Sequence, residues 1–134
     1  RDAYYRKILD EINDVVAAER AALVFFENED AITAFKNSEY GLRLNNAEVV
    51  TAGNVEFINH YVRQATRSKE VTFFSRVFGR GLDFVCYDKT VMARGGVAVI
   101  QTFFSEELAE EIQIKGRTCR QGEKGTYKMV LLAK

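Results

Sequence analysis

Three short, nearly unbroken apolar runs decide most of what this chain can become. They are Ala21-Ala22-Leu23-Val24-Phe25-Phe26, Val71-Thr72-Phe73-Phe74 and Val97-Ala98-Val99-Ile100-Gln101-Thr102. Successive strand side chains point to opposite faces, so a run without polar alternation is a strand that needs cover on both sides. The stretches between supply that cover. Over residues 3–18, Tyr5, Ile8, Leu9, Ile12, Val15 and Val16 form one stripe at helical spacing. Asn28 is placed to cap a second helix whose first turn carries Glu29 and Asp30, the favourable sign for a helix dipole, and which is expected to end near Tyr40-Gly41. Ala47–Thr51 reads as a further strand. After Gly53-Asn54, a helix places Val55, Ile58, Tyr61, Val62 and Ala65 on one side, and Tyr127–Leu132 reads as the last strand. Strands alternating with helices predict one α/β domain, a mainly parallel sheet between helical layers.

At 134 residues, with 47% hydrophobic and 28% charged, the chain has the size and balance of a single domain over 1–134. Lys+Arg and Asp+Glu are both 19, a formal net charge of zero, which argues against a dedicated nucleic-acid or acidic-lipid binder. No apolar run approaches the roughly 20 residues of a membrane helix. Cys86 and Cys119 stand without a C-x-x-C and with His60 as the only histidine, which excludes a structural zinc site and predicts reduced thiols in an intracellular, cytoplasmic setting. The first residue is Arg1 rather than Met, so a piece of a longer protein is expected.

Tests for local chemistry are mostly negative. None of the nine glycines is followed by lysine, so a Walker A loop is missing and the domain alone is not expected to hydrolyse ATP. Gly79-Arg80-Gly81 opens like a dinucleotide fingerprint, but Phe84 stands at the third glycine. Asp10-Glu11 lies inside a helical stripe, which makes a solvated face the better reading than a magnesium-binding pair. His60 falls mid-helix, as a surface or boundary residue.

Ser105 to Gly122 is more informative. Ser105 caps, acids fill the following turn, and Lys115, Arg117 and Arg120 crowd the end before Gly122. Gln113, Gly116, Arg117 and Arg120 share one helix face at spacings of three, four and seven. Bases at a helix end offset its dipole, worth about 0.3–1 kcal/mol each. That alone does not account for a glutamine, a glycine and two arginines on one face.

Gln113-Ile114-Lys115-Gly116-Arg117-Thr118-Cys119-Arg120 resembles motif VI of superfamily-two motor ATPases, Q-x-x-G-R-x-G-R. Its continuation Gln121-Gly122-Glu123-Lys124-Gly125 is similar to that of the SecA preprotein translocase motor family. Upstream, Val71-Thr72-Phe73-Phe74-Ser75-Arg76-Val77-Phe78-Gly79-Arg80-Gly81-Leu82-Asp83 resembles the family's motif V, V-T-x-A-T-x-x-A-G-R-G-T-D. Gly95-Gly96-Val97-Ala98-Val99-Ile100 resembles its G-G-L-x-V-I strand. The order and spacing match over 70–132, and residues 1–69 fit more loosely. Cys119 replaces the second motif VI glycine, Glu123 an aspartate, Phe78 a small residue and Leu82 a threonine; Glu-rich sequence stands in the place of a basic stretch.

The resemblance implies a RecA-like three-layer sandwich, the second of two motor folds that close on ATP and Mg2+. The P-loop domain of the same parent chain would supply the lysine and the magnesium-binding acids, and this domain alone would hold neither ligand. It implies Arg117, Arg120 and Arg80 as catalytic arginines. It implies Gly79, Gly81, Asp83, Gln113 and Gly116 as ATP-binding residues. Further implied partners are a polypeptide substrate and a translocation channel, with nucleic acid disfavoured and no transmembrane segment. Two alternatives stay open at this point: a relative that kept the fold and lost catalysis, and half of a nucleic-acid helicase.

Overall fold

The computed structural model describes residues 2–44, 46–79, 86–107 and 125–132. Helix α1 (Asp2–Ala17) leads into strand β1 (Ala22–Phe26), then α2 (Glu29–Asn37) and β2 (Ala47–Val50). Helix α3 (Ile58–Ala65), β3 (Val71–Ser75), the short α4 (Lys89–Ala93), β4 (Val97–Gln101) and β5 (Gly125–Met129) follow. All pairings are parallel, in the order β2-β3-β1-β4-β5. The expected α/β sandwich of RecA-like type is therefore present, with β1 at its centre.

Every residue of β1, β3 and β4 is buried, as their uninterrupted apolar runs require. Two cores result. On one face α1 and α2 bring Ile8, Leu9, Ile12, Ile32 and Phe35 onto Val24, Phe26, Phe73 and Ile100. On the other, α3 and α4 bring Val62, Ala65 and Val91 onto Leu23, Phe25, Phe74 and Val99. The chain moves one way along the sheet through α2 and the opposite way through α3 and α4. Crossovers of a single hand must then lie on opposite faces, and they do.

Some boundaries differ from expectation. Helix α2 stops at Asn37, where Ser38 donates to the Phe35 carbonyl through both its backbone N–H (3.1 Å) and its hydroxyl (2.6 Å), and Gly41–Arg43 forms a separate 3-10 turn. The segment from Ala52 to Phe57 is also 3-10, so α3 begins only at Ile58. Strand β5 runs over 125–129 rather than 127–132. As an edge strand it is half exposed, and pairing starts at Gly125 opposite Val97; beyond Met129 the Val130 N–H still donates to the Gln101 carbonyl (2.8 Å), while Leu131 and Leu132 are exposed. Helix α4 was not anticipated; the Asp88 carboxylate builds it by accepting from the N–H groups of Thr90 (2.9 Å) and Val91 (3.1 Å).

The amino-terminal edge of the sheet is closed by Arg20. Its guanidinium donates to the carbonyls of Gly96 (2.8 Å) and Val97 (3.0 Å) and to Thr126 Oγ1 (2.9 Å), with a longer reach to Gly95 O (3.4 Å). Gly95 and Gly96 adopt φ of 115° and 85°, a region open chiefly to glycine. The Gly-Gly before the β4 run thus turns carbonyls toward a fixed cation.

Candidate functional site

In open parallel sheets, ligand chemistry collects at the carboxyl ends of the strands, where helix N-termini and loops converge. Here β3 leaves the sheet at Ser75 and enters a 3-10 turn, Arg76–Gly79. Arg76 and Val77 are exposed, whereas Phe78 turns back into the core, 6.4 Å from the Phe74 ring, which stacks on Phe25 at 5.0 Å. The bulky Phe78 is accordingly absorbed by packing. It anchors the turn from beneath and leaves Arg76 and Gly79 at the edge.

β4 leaves the same edge. Beyond it, Thr102 still pairs with the centre of the sheet, because its N–H (3.0 Å) and hydroxyl (2.9 Å) both donate to the Phe25 carbonyl. The Thr102 carbonyl in turn accepts from the Tyr4 hydroxyl of α1. Phe103 is buried, and its ring lies 5.1 Å beneath the Arg76 guanidinium, a cation–π contact that spans the width of β1. Helical backbone begins at Glu106, one residue after the expected cap Ser105. Between the two exits, the Asn28 side chain caps α2 by accepting from Ala31 N–H at 2.8 Å, as the sequence predicts.

Of the sequence-predicted site residues, Gly79 closes the 3-10 turn at this edge. Arg80, Gly81, Asp83, Gln113, Gly116, Arg117 and Arg120 lie outside the described residues, as does Cys119. Gly95-Gly96, expected from the resemblance to belong with them, sits at the opposite edge, where it serves the Arg20 clamp. His60 is exposed on α3. Asp10 is exposed too, but Glu11 is not a free solvated acid: its side chain is 13% exposed and bridges Lys7 and Lys128, each at 3.0 Å. Burial works to raise the Glu11 pKa, and the bonds from the two lysines outweigh it, holding the carboxyl below its usual value. Cys86 is buried, its thiol directed at the Thr66 carbonyl at 3.5 Å.

Sequence reasoning missed the polar groups that organise this edge. Gln101 is fully buried at the end of β4, where a terminal polar residue reads as the strand running into solvent. Tyr127, whose hydroxyl is pushed up to about 12 by burial, donates to Gln101 Oε1 at 2.8 Å. The available signal was a glutamine inside an otherwise apolar run. Among the described residues no group of three His, Cys, Asp or Glu side chains is arranged to hold a metal, and no helix is long and apolar enough to cross a membrane.

No family model matches the chain. Sequence comparison finds protein translocase subunits. Over 70 residues, 52% of this chain and 10% of the relative, it is 39% identical to the protein translocase subunit SecA 2 of Nitrosospira multiformis. Over 127 residues, 95% of this chain and 19% of the relative, it is 29% identical to SecA 2 of Rhodopirellula baltica. Over 122 residues, 91% of this chain and 11% of the relative, it is 30% identical to the protein translocase subunit SecA of Bacteroides fragilis. The chain spans about a tenth to a fifth of the length of these relatives. It is an α/β sandwich similar, over nearly its whole length, to a portion of protein translocase subunits SecA and SecA 2.

Proposed function

We propose that this chain is the second motor domain of a SecA-like ATPase, closing on ATP held by a P-loop domain of the same parent protein and serving polypeptide translocation. The observation that carries the reading is similarity to SecA 2 across 95% of the chain, on a parallel sheet whose β3 runs into a 3-10 turn ending at Gly79. The proposed site set suits phosphoryl oxygens. Arginine is planar, permanently charged and bidentate toward phosphate, and glycines let backbone amides approach closely. Magnesium would need carboxylates, and Asp83 is the only acid in the set, so the metal is assigned to the P-loop domain.

Within this reading Arg117, Arg120 and Arg80 stabilise the charge that spreads over a transferring γ-phosphoryl group. Gly79 and Gly81 bring the β3 exit close to the nucleotide, and Asp83 holds that loop or a nucleotide hydroxyl. Gln113 and Gly116 complete the face that carries the arginines. Arginine fingers in phosphoryl transfer are worth roughly 10³–10⁵ in rate.

Lysine substitution separates this from simple compensation of a helix dipole, since it keeps the charge and loses the fork. In the intact parent, Arg117→Lys and Arg120→Lys should each lower ATP turnover at least about tenfold, a barrier increase of about 1.4 kcal/mol, with folding retained. Near-wild-type turnover in both variants rejects the finger assignment. A folded parent with no turnover at all favours a relative that kept the fold without the catalysis.

A further inference from the structure

Phe103 is a braced platform at the carboxyl edge of the sheet. Thr102, just before it, is fastened to β1 by two bonds to the Phe25 carbonyl, at 3.0 and 2.9 Å. The Phe103 carbonyl accepts from the amide nitrogen of the buried Gln101 at 2.6 Å, and the Gln101 oxygen accepts from Tyr127 of β5 at 2.8 Å. The ring held in this way is buried, and the Arg76 guanidinium lies over it at 5.1 Å. An aromatic face offers no lone pair, so the contact leaves the guanidinium N–H donors without an oxygen to meet. Among the described residues no carboxylate stands within ion-pair distance of Arg76, although β1, between the β3 and β4 exits, runs into Glu27, Glu29 and Asp30.

We propose that Arg76 is a further phosphate-contacting residue: from the Phe103 ring it donates to a phosphate oxygen of a nucleotide bound against the carboxyl edge. An exposed arginine ordinarily samples many rotamers, and ordering it costs entropy on binding. One held by a ring rather than by an acid keeps both its position and an uncompensated charge. Arg76 also opens the 3-10 turn that ends at Gly79, so it stands where β3 meets that edge. The proposal rests on the motor reading above, but the contact is set by Phe103, Thr102 and Gln101 and needs no position for Arg80, Arg117 or Arg120. The acids at the β1 exit make this edge mixed in sign, which suits one oxygen at one fixed cation and not a broad basic field. An arginine that merely covers Phe103 would affect stability and leave nucleotide affinity alone.

The test uses the intact parent with Arg76→Gln, Phe103→Leu and the double variant, followed by ATP turnover, the Kd of a fluorescent ATP analogue, inhibition by adenosine, and Tm. Arg76→Gln should raise both the KM and the Kd for ATP at least about fivefold, with the loss in KM rather than in kcat, the pattern of a binding contact. Its Tm should stay within about 2 °C of wild type. Inhibition by adenosine, which carries no phosphate, should not change. Phe103→Leu keeps an apolar side chain and deletes the ring face, so KM should move in the same direction, and adding it to Arg76→Gln should cost little more. If Phe103→Leu does not fold, Arg76→Gln decides alone. Unchanged KM and Kd in Arg76→Gln overturn the proposal, and a fall in Tm beside them shows that Arg76 only covers the ring. Equal weakening of adenosine and ATP also overturns it, because the contact is then not to phosphate. Where Arg117→Lys cuts turnover and Arg76→Gln leaves ATP affinity intact, the phosphate contact is rejected and the motor reading stands. A folded parent that neither binds nor hydrolyses ATP removes the motor reading, and this contact with it.

Discussion

Removing the Arg20 side chain tests how the amino-terminal edge of the sheet is held. Three of its bonds, at 2.8, 3.0 and 2.9 Å, run to Gly96 O, Val97 O and Thr126 Oγ1, so one guanidinium joins the start of β1 to the starts of β4 and β5. Burial lowers the Arg20 pKa, but a guanidinium remains charged at neutral pH. Bonds from a charged donor contribute about 1.5–3 kcal/mol each when desolvated and nearer 1 kcal/mol at a half-exposed site such as this. Three such bonds, less what water restores to the released carbonyls, put the cost of Arg20→Ala at about 2 kcal/mol. With an unfolding entropy of about 2.1 cal/mol/K per residue, a chain of this length should lose about 7 °C in Tm. Arg20→Lys keeps the charge without the fork and should recover less than half of that. Urea denaturation followed by circular dichroism measures both. An unfolding free energy for Arg20→Ala that stays within about 0.3 kcal/mol of wild type refutes the clamp.

Asp88→Ala should cost about 1–2 kcal/mol, because one carboxylate oxygen caps α4 and the other accepts from Ser68 N–H at 2.9 Å; thermal melts would show it, and Asp88→Asn, with a single acceptor oxygen, should recover only the part due to the cap. The Asp88 pKa is lowered first by the Ser68 bond, so the stability it contributes is full above the ordinary aspartate pKa and fades as pH falls through the lowered folded value. Glu11 follows the same sign: the stability gap between wild type and Glu11→Gln should be open at neutral pH and close as pH falls through the lowered folded value, and a gap that persists in acid would contradict the lysine bridge. Gly41→Ala should cost about 1–3 kcal/mol, since a Cβ there would collide with the Phe35 carbonyl and the Lys36 backbone; unchanged denaturation midpoints would show that α2 and the turn can separate.

Much of the architecture was legible because it is written in local pattern. β1, β3 and β4 are recognisable from runs that leave no polar face, and their parallel pairing follows from the helices needed to cover both sides. The α1 stripe and the Asn28 cap are likewise one-element features, and both are found. Edge strands carry less of this signal. β5 is half exposed, and its pairing register was displaced toward its apolar tail. Helix α4 is five residues long, too short for periodicity, so only Asp88 marked it.

Of the residues that the resemblance implies for the candidate site, Gly79 lies among the described residues, at the end of the turn that leaves β3 at the carboxyl edge of the sheet. Tertiary structure alone decided the rest. The order β2-β3-β1-β4-β5, the contact of Arg76 with Phe103 across β1, the clamp of Arg20 on Gly96 and the grip of Gln101 on its turn all join residues distant in sequence or oriented by distant partners. A polar side chain announces in sequence only that it needs partners. Which carbonyl or ring meets that need depends on which strands become neighbours, and this is settled by the packing of two helical layers against one sheet.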